Sequence, residues 1–379
     1  MKKVLIVRLD AIGDYILWRN CLRFIRNSRK YRDVHLTVLG NPAWRSLAEA
    51  FDADCADDWI WVGNRANLFR KSIENLLPYC VWHRRVRQEQ GRLRKELMAR
   101  KFDEVISPTA FPDPLLDELV QGIAPAVIGV ANGNPSRLSA YTRLLDAGGE
   151  PFVFLKNRRI AEELTGEPCV VPLELVLPET PARNNSVLFF ADASHWTRRW
   201  PDCRWRELET LLPPELAPRY AVKTRTLSEF ANQVAASVAV VSNDTMALHM
   251  AAALNVPAVG VTNGCSGKNF FWPYPASLGK KIAVVSPKEH VGGILPGLAG
   301  RQISQYRAIA SISAQDVSSV FQTIACQGNG KPRYVFDKGR GDMIPKKESA
   351  SSLKGLVKWR GNPATLSQMD EAIAPEACK

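Results

Sequence analysis

Residues 239–261 constrain the fold of this chain more than any other stretch. Ala239-Val240-Val241 reads as a short apolar strand and Ser242-Asn243-Asp244-Thr245 as a tight polar turn. Met246, Met250, Ala253 and Leu254 then recur at helical spacing, which predicts an amphipathic helix. A second apolar run, Pro257-Ala258-Val259-Gly260-Val261, follows at once. Strand, helix and strand at this spacing make a βαβ unit, with parallel strands and a ligand crevice at their carboxyl ends. Asp244 and Thr245 stand where the helix begins. Free backbone N–H groups and the positive end of the helix dipole favour an anion there. An Asp or Thr at that position also serves as a plain helix cap, and residue type alone leaves both roles open.

The same alternation runs through the rest of the chain. Residues 4–7 are predicted as a strand, 9–13 as a loop, and 15–25 as a helix with Leu17, Cys21, Phe24 and Ile25 on one face. A strand at 34–39 follows, with Pro42 suited to the first turn of the next helix. Further strands are expected at 103–107 and 126–130. Residues 168–185 are rich in Pro and polar residues and read as an interdomain linker, with its core at 173–185. A second α/β pattern has strands near 187–190, 220–222 and 282–285, and helices near 205–212, 228–236 and 314–325. No internal repeat is present. From residue 327 apolar clusters become sparse, which predicts a flexible, basic tail over 327–379; its Leu353–Trp359 stretch has the Trp and Lys of a membrane-interface segment.

A chain of 379 residues exceeds one ordinary core and implies two domains. No stretch approaches 18 apolar residues, so no membrane-spanning helix is expected. The apolar run at 4–7 ends in Arg8 and is too short for a signal peptide, so it reads as a buried first strand. Eight cysteines without any CxxC spacing favour reduced thiols and a cytoplasmic setting over a disulfide framework or a zinc site. The net charge of +12 calls for an anionic partner. One concentration of it, residues 83–101, carries Arg84, Arg85, Arg87, Arg92, Arg94, Lys95, Arg100 and Lys101 around an apolar stripe of Val86, Leu93 and Leu97. That helix is either a solvated face or a face for an anionic acceptor or lipid headgroups at the inner membrane. No nucleic-acid-binding signature is present, so nucleic acid is not an expected partner.

Three segments carry a resemblance. Arg8-Leu9-Asp10-Ala11-Ile12-Gly13-Asp14 is similar to the opening strand, loop and helix of the ADP-heptose–lipopolysaccharide heptosyltransferase family, glycosyltransferase family nine. Ala193-Ser194-His195-Trp196-Thr197-Arg198-Arg199-Trp200-Pro201 resembles its basic-Trp-Pro element. Residues 243–254, with Pro257, Asn263 and Gly264, resemble its Asp-Thr-Gly…His helix, and residues 312–317 fit its ending. The resemblance covers about residues 1–326. It implies a GT-B fold: an acceptor-binding Rossmann-like domain at 1–172 facing, across a cleft, a nucleotide-sugar-binding Rossmann-like domain at 186–326, with the last helix crossing back to the first domain.

The resemblance also implies roles. Asp14, beside Gly13 near the start of a helix, matches the catalytic carboxylate that takes the acceptor hydroxyl proton. Arg198 matches the cation on the diphosphate, with Arg199 as a possible substitute, and a guanidinium holds phosphate oxygens through two N–H bonds. Thr245, the neighbouring N–H groups at Met246, and His249 would contact the diphosphate. Asp244 would take hydroxyls of the donor sugar, and Ser194 would add a hydroxyl contact. Gly264 lies on a loop near this site. No DxD pair follows a strand, no metal-ligand cluster is visible, and no P-loop or G-x-G-x-x-G occurs, so neither metal nor bound cofactor is expected beyond the donor, of which ADP-heptose is the family's usual one.

The chain departs from the family at Met246 and Asp192, where the family has Gly. A helix and strand that the family usually inserts after residues 220–224, with a carboxylate for the nucleotide ribose, are also missing. A catalytically silent glycan-assembly scaffold and a nucleotide-sugar epimerase remain as alternatives, and the need for Asp14 separates the scaffold from the transferase.

Overall fold

The computed structural model describes residues 1–62, 79–109, 114–131, 139–264, 271–272, 274–287 and 297–326. The tail at 327–379, with its Leu353–Trp359 stretch, lies outside the described residues. The chain divides into two compact units, Met1–Val176 with Thr224–Phe230, and Leu177–Lys223 with the described residues from Ala231 on.

The first unit holds a six-stranded sheet of β1 (Lys3–Arg8), β2 (His35–Gly40), β3 (Asp58–Trp61), β4 (Glu104–Ile106), β5 (Ala126–Val130) and β6 (Arg143–Leu145), ordered β3-β2-β1-β4-β5-β6. Every pairing is parallel. The unbroken apolar run Val4-Leu5-Ile6-Val7 suits β1, whose neighbours on both sides leave those four side chains fully buried. Leu5 and Val7 pack with Val105, Leu93, Leu97, Leu116 and Leu119 on one face.

The helix predicted over residues 15–25 is two helices, Ile12–Ile16 and Arg19–Asn27. The break is satisfied rather than strained. Trp18 N–H bonds Tyr15 O, and the freed carbonyl of Leu17 accepts from the buried Asn157 side chain at 2.9 Å. It lets Trp18 lie beneath the Arg8 guanidinium, 5.1 Å from the ring centroid, and turns Arg19 onto Asp52. Asp52 is fully buried; it takes two hydrogen bonds from Arg19, at 2.9 and 2.7 Å, and one from Tyr15 Oη at 2.8 Å. Burial, with the Asp52 charge behind it, pushes the Tyr15 phenol well above its usual range.

The second unit holds β7 (Ser186–Phe190), β8 (Ala217–Tyr220), β9 (Ala239–Asn243), β10 (Ala258–Val261) and β11 (Ile282–Val285), ordered β11-β10-β9-β7-β8 and all parallel. Counted from the first strand of each sheet, the first unit runs third-second-first-fourth-fifth-sixth. The second unit repeats that order among the described residues with the third strand absent. The helix and strand missing from the sequence are thus an edge strand and its connection, and β8 becomes the edge, with Tyr220 46% exposed. The last α-helix among the described residues, Ala314–Phe321, packs Ala314, Val317, Val320 and Phe321 into the core of this second unit, against Trp205 and Leu208.

Within the 173–185 segment Leu173, Leu175 and Leu177 are buried, and Asn20 Nδ2 donates to the carbonyl of Glu174 and to that of the preceding Pro172. The described cysteines are not all free thiols. Cys21, Cys55 and Cys169 are free, but Cys203 is disulfide-bonded. No helix among the described residues is long and apolar enough to cross a membrane.

Candidate functional site

In a doubly wound sheet, ligands bind at the carboxyl ends of the strands where the order reverses. That point lies between β1 and β4 in the first unit and between β7 and β9 in the second. The candidate residues fall at these two places. Asp10, Gly13 and Asp14 follow β1; Ser194, Arg198 and Arg199 follow β7; Asp244, Thr245, Met246 and His249 follow β9.

In the first unit, Asp14 is the third residue of the helix Ile12–Ile16 and is only 7% exposed. Its Oδ2 accepts the Ala11 N–H at 3.0 Å, so the capping role and the candidate catalytic role belong to one carboxylate. Gly13, expected in the loop, is the second residue of that helix. The loop before it is held from three directions. Arg8 Nε lies 2.7 Å from Asp10 Oδ2, and Arg8 Nη1 donates to Pro108 O at 2.8 Å. Asn41 Nδ2 donates to the carbonyls of Leu9 and Asp10 at 3.1 and 3.0 Å. Gly40, the last residue of β2, packs against Trp44 here, and a Cβ at that position would overlap the Trp44 ring.

In the second unit, two asparagines hold the loop that follows β7. Asn243 Oδ1 accepts the Trp200 N–H at 3.0 Å while Nδ2 donates to Ala191 O, and Asn263 Nδ2 donates to Thr197 O at 3.1 Å. Arg198 closes the short 3₁₀ turn Trp196–Arg198. Its Nη1 donates to the carbonyl of Asp244 at 3.2 Å and its Nη2 to Ser194 Oγ. Arg198, Ser194 and the start of the helix Met246–Ala253 are therefore one cluster. Arg199 points elsewhere: it ion-pairs with Asp192 Oδ1 at 3.1 Å and donates to Ala193 O. The unexpected Asp192 thus sits on Arg199, with its side chain 75% exposed.

Thr245, not Asp244, caps the helix, its Oγ1 accepting the Ala247 N–H at 3.3 Å. Met246 is the first helical residue and half-buried. The helix is not amphipathic, for every residue from Ala247 to Ala253 is buried. Phe271, Trp272 and Tyr274, which belong to none of the sequence motifs, pack their rings against its His249 side chain. Asp244 Oδ1 accepts the Trp272 indole N–H at 3.0 Å. The His249 ring lies flat on that indole, centroids 5.1 Å apart and planes within 5°, with Nδ1 2.7 Å from Tyr274 Oη. Burial lowers the His249 pKa to about 3, so this imidazole is neutral across the physiological range. It can offer hydrogen bonds but not charge. Gly264, just beyond β10, has φ +72°, a left-handed conformation that favours glycine.

The basic helix is observed as Tyr79–Ala99, with side chains described from Arg87 on; those of Arg84, Arg85 and Val86 lie outside the described residues. Leu93 and Leu97 are buried as expected. Arg94 is committed internally, donating to the carbonyls of Glu118 and Leu119. Among the described residues no group of three or more His, Cys, Asp or Glu side chains converges on a metal site.

No protein-family model and no curated protein matches the chain by sequence. Solved structures do match it by shape. The E. coli heptosyltransferase WaaC with ADP-2-deoxy-2-fluoro heptose superposes with a TM-score of 0.60 at 16% identity, over 84% of this chain and 99% of that one. A glycosyl transferase family 9 protein from Veillonella parvula gives 0.58 at 16% identity, over 86% and 97%. E. coli ADP-heptose lps heptosyltransferase II gives 0.52 at 17% identity, over 86% and 99%. The fold is that of these heptosyltransferases. At such identities the likeness carries the architecture, and the chemistry rests on the residues described above.

Proposed function

We propose that the chain is an inverting, metal-independent glycosyltransferase that moves a sugar, heptose in the first instance, from a nucleotide-diphosphate donor to a lipopolysaccharide-core or related bacterial glycan. The observation that carries this reading is the cluster at the β7–β9 switch point, where Arg198, Ser194 and the Thr245-capped helix N-terminus come together. A guanidinium and a helix dipole supply the positive potential that a departing diphosphate needs. The WaaC structures hold ADP or an ADP-heptose analogue, which supports a nucleotide sugar as the donor class. In this reading Asp14 takes the proton from the acceptor hydroxyl as that oxygen attacks the anomeric carbon, and the C–O bond to the diphosphate breaks with inversion. Arg198 and the helix stabilise the leaving charge. His249, neutral, contributes hydrogen bonding alone. The basic face of Tyr79–Ala99 is proposed to gather an anionic glycolipid acceptor at the inner membrane surface.

A second reading draws on the third strand absent among the described residues and on Met246 at the first turn of the helix, both of which alter the donor side. It makes the chain a glycan-binding scaffold without turnover. A thermal-shift panel of nucleotide sugars separates the two. A ligand at a hundred times its Kd stabilises by about 2.7 kcal/mol, a shift that is easily read. Stabilisation by ADP-heptose or another nucleotide sugar supports the transferase; no shift with any of them leaves the scaffold.

A further inference from the structure

Trp272 stands 28 residues beyond Asp244 in sequence yet touches both ends of the first helical turns after β9. The edge of its indole donates to Asp244 Oδ1 at 3.0 Å. Its face lies on His249, five residues further along the same helix-starting segment. Tyr274 closes the ring from the other side, its Oη 2.7 Å from His249 Nδ1 and its ring 5.6 Å from the indole. Asp244, His249, Trp272 and Tyr274 are 7%, 5%, 2% and 1% exposed, so little of this ring is left to solvent. A carboxylate so deeply placed is held by the donors around it, and a charge-assisted hydrogen bond from a clamped indole fixes its direction as well as its position.

We propose that Trp272 is a positioning residue that sets the Asp244 carboxylate for the hydroxyls of the donor sugar, and thereby makes this site prefer a nucleotide sugar to the free nucleotide. The proposal rests on the glycosyltransferase reading and deepens it. Trp272 itself does not touch the diphosphate in this scheme; it acts through Asp244. Its loss should therefore be felt in the sugar half of the ligand and not in the nucleotide half.

Trp272→Phe keeps a ring against His249 and removes the N–H. Calorimetric titration of wild type and variant with ADP-heptose, alongside UDP- and GDP-sugars and each matching diphosphate, reads the effect. The expected result is a loss of about tenfold in affinity for the preferred nucleotide sugar, in line with one hydrogen bond to a charged acceptor. Affinity for the free diphosphate should stay within about twofold. Should Trp272→Phe fail to fold, 3-benzothienylalanine at position 272 gives the same shape with sulfur in place of N–H. A variant that weakens sugar and diphosphate equally, or keeps the full preference, overturns the proposal while leaving the donor reading intact. Wild type that binds no nucleotide sugar overturns both.

Discussion

Asn243 takes the Trp200 N–H on its Oδ1 at 3.0 Å and gives its own Nδ2–H to the carbonyl of Ala191, so one side chain at the end of β9 spans the loop that carries Arg198. Asn243 is fully buried. Asn243→Ala would strand a buried N–H and a carbonyl at once, at about 1–3 kcal/mol each. Urea unfolding should show a loss of roughly that size. Diphosphate affinity should fall as well, because the loop that holds Arg198 is released. Wild-type affinity in a destabilised Asn243→Ala protein would show that the loop is held by other means.

The first unit has a comparable dependence on one buried ion pair. Asp52 is fully enclosed and answered by Arg19 in a two-bond geometry and by Tyr15. Asp52→Ala leaves the Arg19 charge buried without its partner, which costs about 3–5 kcal/mol. A paired Asp52→Leu, Arg19→Met replacement should recover much of that, since a well-packed apolar pair rivals a buried ion pair. Equal stability of the single and double variants, by denaturant titration, would contradict this account.

The architecture was legible in the sequence because parallel strands buried on both faces appear as unbroken apolar runs. Val4–Val7, residues 187–190 and residues 239–241 all read correctly as strands for that reason. Shorter, half-exposed strands such as Asp58–Trp61 and Arg143–Leu145 carry no such run and were missed. The Leu17–Trp18 break was invisible because the apolar periodicity continues through it, and the freed carbonyl is satisfied by Asn157, 140 residues away. At the site, the motifs name Arg198, Ser194 and the helix after β9, which hydrogen bonds bring together. Trp272 and Tyr274 belong to none of those motifs, and it is the fold that brings them against His249. Asn243 and Asn263 were visible as part of a motif, but their stapling role needed the loop geometry.

His249 gives a pH prediction whose sign is fixed by its burial. Its pKa falls from 6.5 to about 3 on folding, so below pH 6.5 the unfolded chain binds a proton that the folded chain refuses. Stability should therefore decline as pH drops from 6.5 towards 3, by roughly 1.4 kcal/mol per pH unit from this group. It should be insensitive to this group above 6.5. His249→Gln should flatten the decline, seen as a narrowing gap in melting temperature between variant and wild type on acidification. In the activity profile, no limb near pH 6.5 should belong to His249. A wild-type limb at that pH that disappears in His249→Gln would mean the imidazole titrates in the folded protein.

Asp14 and Arg198 divide the proposed chemistry, and two substitutions test the division. Asp14→Asn keeps an acceptor for the Ala11 N–H, so the helix start should survive and the melting temperature should hardly move. The base is gone, and turnover should fall by about two to four orders of magnitude with donor affinity nearly unchanged. Arg198→Ala removes a cation that meets the diphosphate in both ground and transition states. Donor affinity and turnover should then both drop, the latter by about a hundredfold or more for a lost leaving-group contact. Arg199→Ala supplies the control, because that side chain is engaged by Asp192 and Ala193 and should leave donor affinity close to wild type. Steady-state kinetics with separate donor titrations reads all three. Wild-type turnover in Asp14→Asn would move the base elsewhere, and equal losses in the two arginine variants would mean that Arg199 turns towards the donor when it binds.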